Sequence, residues 1–144
     1  MTLKTLNILL IEDNEGDILL TKKAFERGSF DSQVFVARNG KEGLEFLNKK
    51  PPFEKVPTPN IVLLDLNMPE INGHELLKTI KKDKRLRSIP VIILSTSGAE
   101  ADISTAYELQ ASSYIRKPVD FQEFADLIQK IQEYWANIVL YPNK

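Results

Sequence analysis

At 144 residues and 42% hydrophobic side chains, the chain has the size and composition of one globular domain with a real core. Its 19 basic and 20 acidic side chains leave a formal charge of -1, so no global field draws it to nucleic acid or to an anionic membrane. The lack of cysteine excludes disulfides, thiolate zinc sites and thiol catalysis, and no signal-like segment or long apolar span is present; the expectation is a cytoplasmic protein with a local functional site.

In chain order, LNILLIED (6–13) is an apolar run ending in acids, and NEGDILLTKKAFERG begins with a capping residue and closes on Gly28, as a helix does. QVFVARNG (33–40) is β-branched and aromatic, and KEGLEFLNKK has apolar residues at helical spacing. The Pro-rich stretch NKKPPFEKVPTPN (48–60) predicts an elongated surface loop. Then come IVLLD, a helix through GHELLKTIKKD, the strand PVIILSTSG, a helix near 99–109, the strand SYIRKP, and FQEFADLIQKIQEYW. In this last helix Phe121, Phe124, Leu127, Ile128, Ile131 and Trp135 share one apolar face.

Five strands alternating with five helices predict right-handed crossovers and a parallel sheet covered on both faces. The expected fold is α/β, a doubly wound five-stranded sheet in a three-layer sandwich. It forms a single domain over 1–144, with its core at about 6–135 and a tail at 136–144. Ligands bind beyond the carboxyl ends of such strands. The strands here end on Glu12 and Asp13, on Asp65, on Ser95 and Thr96, and on Lys117, so these side chains are expected at one edge.

Carboxylates gathered at one edge repel by roughly 4 kcal/mol per pair at about 4 Å, for an effective dielectric of about 20. A divalent cation removes that cost, and an all-oxygen site of a few carboxylates suits Mg²⁺, which is usually held together with a phosphate. Asp65 would then be both metal ligand and nucleophile toward a phosphoryl group, with Lys117 and Ser95 supplying an ammonium and a hydroxyl for the charge in flight.

The motifs LLIEDN, VLLDLNMPEINGHELL, PVIILSTS and SYIRKP, in this order and spacing, resemble the response-regulator receiver domain of two-component signalling, the CheY-like family with its flavodoxin-like fold. The resemblance runs from residue 6 to about 135. It implies a metal-binding acidic pair at Glu12 and Asp13, a phospho-accepting Asp65, a metal-binding backbone carbonyl at Asn67, a hydroxyl at Ser95, a lysine at Lys117 and a switch aromatic at Tyr114. It also implies a cis bond between Lys117 and Pro118, Mg²⁺ as cofactor, and a sensor histidine kinase or histidine phosphotransfer protein as partner. Signalling would follow from Ser95 moving onto the phosphoryl group and Tyr114 turning inward, which alters the surface of the fourth helix, fifth strand and fifth helix.

Three positions depart from the family pattern. Glu12 replaces the commoner aspartate, Ser95 the commoner threonine, and Gln110 a glycine, so the turn at 110 is either strained or different. With no output domain read after the last helix, the chain resembles a stand-alone receiver that is a phosphoacceptor and not an enzyme acting on a separate substrate. The Pro-rich loop, the LSTS segment and the EYW and LYP tail resemble the subgroup typified by the cyanobacterial phytochrome response regulator. That implies a phytochrome-like kinase and a homodimer through the fourth helix, fifth strand, fifth helix and tail.

The same residues also have plainer readings. An acid after a strand is often a helix cap, a lysine before proline is usually a solvated loop residue, and Asn67 and Pro69 are ordinary turn residues. A degenerate receiver acting as a constitutive docking module is the alternative function. A haloacid-dehalogenase-type hydrolase is disfavoured because Asn67 stands where that motif needs a second aspartate, and a flavodoxin because no Ser/Thr-rich loop follows the first strand. His74, the single histidine, has no second ligand or base and is assigned no chemistry.

Overall fold

Each apolar run becomes a strand and each amphipathic run a helix, and the computed structural model describes residues 5–68 and 72–142 of the chain. The elements are β1 Leu6–Ile11, α1 Glu15–Arg27, β2 Ser32–Ala37, α2 Gly40–Leu47, β3 Ile61–Leu64 and α3 Gly73–Lys82. They continue with β4 Val91–Ser95, α4 Glu100–Glu108, β5 Ser113–Arg116, α5 Phe121–Glu133 and a π-helical turn at Tyr134–Ile138. All strand pairings are parallel and the order is β2-β1-β3-β4-β5, the expected doubly wound sheet.

The two-residue period of β1 sorts its side chains to opposite faces. Leu6, Ile8 and Leu10 pack with Phe25 of α1 and with Phe124, Ile128 and Ile131 of α5. Leu9 and Ile11 pack with Phe46 of α2, with Leu76, Leu77 and Ile80 of α3 and with Ala106 of α4. β3 and β4 are buried on both faces, which is why they read as unbroken apolar runs.

Side chains start four of the five helices. Asn14, Asn39, Asn72 and Asp120 each accept a hydrogen bond from a first-turn N–H of α1, α2, α3 and α5. α4 begins at Ala99 with no side-chain cap and buries only Ala106 completely, so it is the helix held least firmly. Low burial of this kind marks the elements that move most easily.

The turn after α4 keeps the left-handed backbone that a glycine would supply. Gln110 has φ 72°, its N–H donates to Tyr107 O, and Ala111 N–H donates to Ala106 O. This pair of bonds is a Schellman closure with Gln110 at the left-handed position. A side chain there costs energy that glycine does not pay, so Gln110→Gly is expected to stabilise the fold by about 1 kcal/mol after its larger unfolded-state entropy is counted. Thermal unfolding would show a rise of roughly 2–4 °C; an unchanged or lower midpoint would mean that the Gln110 side chain compensates the strain.

The 48–60 loop is less exposed than expected. Phe53 packs at a tilt against Phe46 with centroids 5.4 Å apart, Phe46 likewise against Phe35 at 5.3 Å, and Val56 joins the same cluster. At the other end of the chain, Trp135 and Tyr141 pack on the α1/α5 core, and the Tyr141 hydroxyl donates to Trp135 O at 2.5 Å. Ile138 and Leu140 of the same tail remain exposed.

Candidate functional site

The parallel register brings the ends of β1, β3, β4 and β5 to one edge. Glu12 N–H donates to Ala37 O, Asp65 N–H to Ile11 O at 3.1 Å, and Lys117 N–H to Ser95 O at 2.7 Å. These bonds fix the residue that follows each strand. Glu12, Asp13 and Asp65 each offer a carboxylate oxygen within 4.8 Å of the others. Glu12 and Asp65 are buried and Asp13 is exposed, so the cluster opens to solvent on one side. Asn67 lies on the rim two residues after Asp65, and its N–H donates to Asp65 Oδ1 at 3.3 Å.

Lys117 is buried with these acids. Its ammonium donates to Glu12 Oε1 at 2.5 Å and to Asp17 Oδ2 at 3.0 Å. Asp65 is not among the described ion-pair partners of Lys117, so the lysine rests on the β1–α1 side of the site. These two ion pairs set its direction, and the Lys117–Pro118 bond is not cis as the resemblance implied. The cis bond among the described residues is Pro51–Pro52. The other Glu12 oxygen accepts from the N–H groups of Asp13 and Asn14.

Burial pushes the Glu12 carboxyl up from 4.5 to about 7; the Lys117 ammonium opposes that rise and Asp65 adds to it. Burial works against the charge of Lys117 too, but Glu12, Asp65 and Asp17 outweigh it and raise its pKa above 10.5. For Glu12 the folded value exceeds the unfolded one. Its contribution to stability is therefore complete below about pH 4.5 and lost as pH rises through about 7, whereas that of Lys117 is constant across this window. Urea unfolding of the metal-free protein is expected to show stability falling between about pH 5 and about pH 8, and Glu12→Gln to flatten the fall. An equally steep fall in that variant would assign the effect to other groups.

Ser95 is fully buried and its Oγ accepts from Ser97 N–H at 3.2 Å. Tyr114 is half-buried, with its hydroxyl donating to Ser97 O at 2.8 Å, so it is turned toward the β4–α4 loop. Ser97 Oγ in turn donates to Asp102 of α4 at 2.6 Å and accepts from Ala99 N–H. These bonds tie the β4–α4 loop to the first turn of α4 without capping its N–H groups. His74 Nε2 lies 3.2 Å from Asp102 O and belongs to the α3–α4 contact, away from the carboxylates.

Sequence reasoning brought Glu12, Asp13, Asp65, Ser95 and Lys117 to this edge and missed two participants. Asp17 lies in the first turn of α1, directly after the strand-end acids Glu12 and Asp13, and that proximity was its available signal. Ser97 carried no signal beyond its place after β4, because its role depends on where Tyr114 reaches. The expected turn residue Pro69 lies outside the described residues. A cavity of about 300 Å³ between tail residues Val139 to Pro142 and the loops entering β3 and β4 lies at the opposite edge of the sheet.

The model of the response regulator receiver domain matches residues 8–130. The chain belongs to this family. It is 40% identical over 128 residues to the probable methanogenesis regulatory protein FilR2 of Methanothrix harundinacea, covering 89% of this chain and 82% of the relative. It is 34% identical over 135 residues to response regulator Rcp1 of Synechocystis sp., covering 94% and 92%. Among solved structures, the phosphorylated cyanobacterial phytochrome response regulator RcpA superposes with a TM-score of 0.92 at 34% identity, covering 96% of this chain and 99% of that one. The Mn²⁺-bound form of Rcp1 gives 0.89 at 33%, with the same coverage. The CheY-like fold and the likeness to phytochrome response regulators that the motifs implied are thus both found. Receiver domains of this family are phosphoacceptor signalling domains that work with histidine kinases. No helix among the described residues is long and apolar enough to cross a membrane.

Proposed function

We propose that this receiver is a phosphorylation switch in which Asp65 takes a phosphoryl group from the phosphohistidine of a sensor kinase or phosphotransfer protein. The observation that carries this reading is the meeting of Glu12, Asp13 and Asp65 within 4.8 Å beside a buried, positively charged Lys117. An Asp65 carboxylate oxygen forms the new P–O bond as the P–N bond breaks and the imidazole leaves with the electron pair. Lys117 neutralises a phosphoryl oxygen and the Ser95 hydroxyl donates to another.

The donor set is all oxygen, with one exposed carboxylate leaving room for water, which fits Mg²⁺. Glu12, Asp13, Asp65 and the Asn67 backbone carbonyl would hold the ion. When bound it offsets the crowded negative charge of the carboxylates and of the incoming phosphoryl group.

The output follows from the weak anchoring of α4. When Ser95 turns to the phosphoryl group it gives up the Ser97 N–H, loosening the loop residue that accepts from Tyr114 and donates to Asp102 of α4. The surface of α4, β5 and α5 then changes population. Exposed Tyr107, Tyr134, Ile138 and Leu140 on α4 and the C-terminal segment support a homodimer through α4, β5, α5 and the tail. A phytochrome-like kinase is the phosphodonor that the likeness to Rcp1 and RcpA favours.

Incubation with Mg²⁺ and acetyl phosphate is expected to add one phosphoryl group, roughly 80 Da and labile to hydroxylamine, and Asp65→Ala to add none. Light scattering on the same samples reads the dimer. Absence of any mass gain, from acetyl phosphate or from a phosphorylated kinase, would replace this reading with that of a constitutive docking module.

A further inference from the structure

Asp17 has no part in the switch proposed above, yet its carboxylate is one of the two that hold Lys117. It is the third residue of α1, and its own N–H is bound by the Asn14 side chain at 2.9 Å, so its place at the rim is fixed by the helix start. A carboxylate in a first helical turn is also favoured by the helix dipole. The Lys117 ammonium therefore sits between Glu12 on β1 and Asp17 on α1.

This arrangement bears on a conflict within the site. Glu12 is shared between two tasks, pairing with Lys117 and contributing to the cation cluster with Asp13 and Asp65. If Glu12 were the sole partner of Lys117, turning its carboxylate to a cation would leave a buried ammonium without a counter-charge, which is strongly unfavourable. Asp17 removes that conflict. An ammonium has three donors, so Lys117 can keep Asp17, release Glu12 and present another N–H toward the Asp65 side.

We propose that Asp17 is a positioning residue for phosphoryl transfer: it retains Lys117 when Glu12 turns to the metal, and so keeps the ammonium aimed at the phosphoryl group on Asp65. The inference rests on the phosphoacceptor reading above. Asp17 is not part of the Glu12, Asp13 and Asp65 cluster, and its side chain is about one-third exposed, so its substitution need not disturb the core.

The test compares Asp17→Asn, Asp17→Glu and Glu15→Gln in the full chain. Glu15 lies in the same first turn and pairs with Arg38 instead, so it controls for the loss of one nearby negative charge. At saturating Mg²⁺, the maximal rate of phosphorylation by acetyl phosphate is expected to fall roughly tenfold in Asp17→Asn, to recover largely in Asp17→Glu and to stay unchanged in Glu15→Gln. The concentration of acetyl phosphate giving half the maximal rate should change little in any of them. The NMR signal of the Lys117 ammonium is expected in the unphosphorylated parent and in Glu15→Gln, and to be lost to solvent exchange in Asp17→Asn. A parental rate in Asp17→Asn, or an equal loss in Glu15→Gln, overturns the proposal. If the parent itself takes no phosphate, the phosphoacceptor reading fails, and the ammonium signal still decides whether Asp17 holds Lys117.

Discussion

Lys117→Met is expected to destabilise the metal-free protein by about 3 kcal/mol at about pH 8, because it leaves Glu12, Asp65 and Asp17 facing one another without their shared counter-charge. Glu12 limits the damage as pH falls. Its carboxyl already sits near 7 with the ammonium present, and without that opposing charge it rises further, so protonation relieves the repulsion at mildly acidic pH. The loss should accordingly shrink toward about pH 5.5, and Mg²⁺ should restore part of it at the higher pH. Phosphoryl transfer should slow by roughly 10²–10³, the usual effect of removing one charge-stabilising donor from a reaction centre. Urea unfolding at the two pH values, with and without Mg²⁺, checks the first part, and mass spectrometry over time checks the second. A variant as stable as the parent at about pH 8 would show that Lys117 is not the counter-charge of this cluster.

Gly73→Ala is expected to cost about 2–4 kcal/mol and to displace the phosphoacceptor. A Cβ at Gly73 would lie 2.6 Å from Leu66 Cα and 2.8 Å from Asp65 O, and both are backbone atoms that cannot rotate away. Gly73 N–H also donates to Leu66 O at 3.0 Å, which binds the start of α3 tightly to the residue after Asp65. In an open helix alanine would gain about 1 kcal/mol over glycine, so the sign of the effect separates close approach from helix propensity. Overpacking normally costs about 1–3 kcal/mol, and a backbone clash stands at the upper end. The shift has to be absorbed by α3 or by the Asp65 segment, so slowed phosphorylation should accompany the lower melting point. A variant more stable than the parent would refute the close approach.

Much of this protein is legible in its sequence because the signals are local. β3 and β4 are buried on both faces and therefore appear as IVLL and VIILS; all helices but α4 announce themselves by capping Asn or Asp residues and by apolar spacing. Once the strands are recognised as parallel, the residue after each must fall on the same edge, which places Glu12, Asp65, Ser95 and Lys117 together with no knowledge of side-chain positions. The pairings at that edge depend on distances between segments far apart in the chain. Lys117 meets Asp17 across 100 residues and Tyr114 reaches Ser97 across 17, and no local pattern encodes either contact.

The turn at Gln110 has the same lesson in reverse. The sequence lacks the expected glycine, yet the Schellman bonds that close α4 hold glutamine at φ 72°, because hydrogen bonding at the helix end outweighs the backbone preference of a single residue. The sequence by itself determined the order of elements, the edge on which the chemistry lies and the residue types available there, since these follow from hydrophobic period and strand direction. Only the tertiary structure decided which carboxylates share the lysine, where Tyr114 is tethered and which tail side chains pack on the core, since each is a competition between partners brought together by folding.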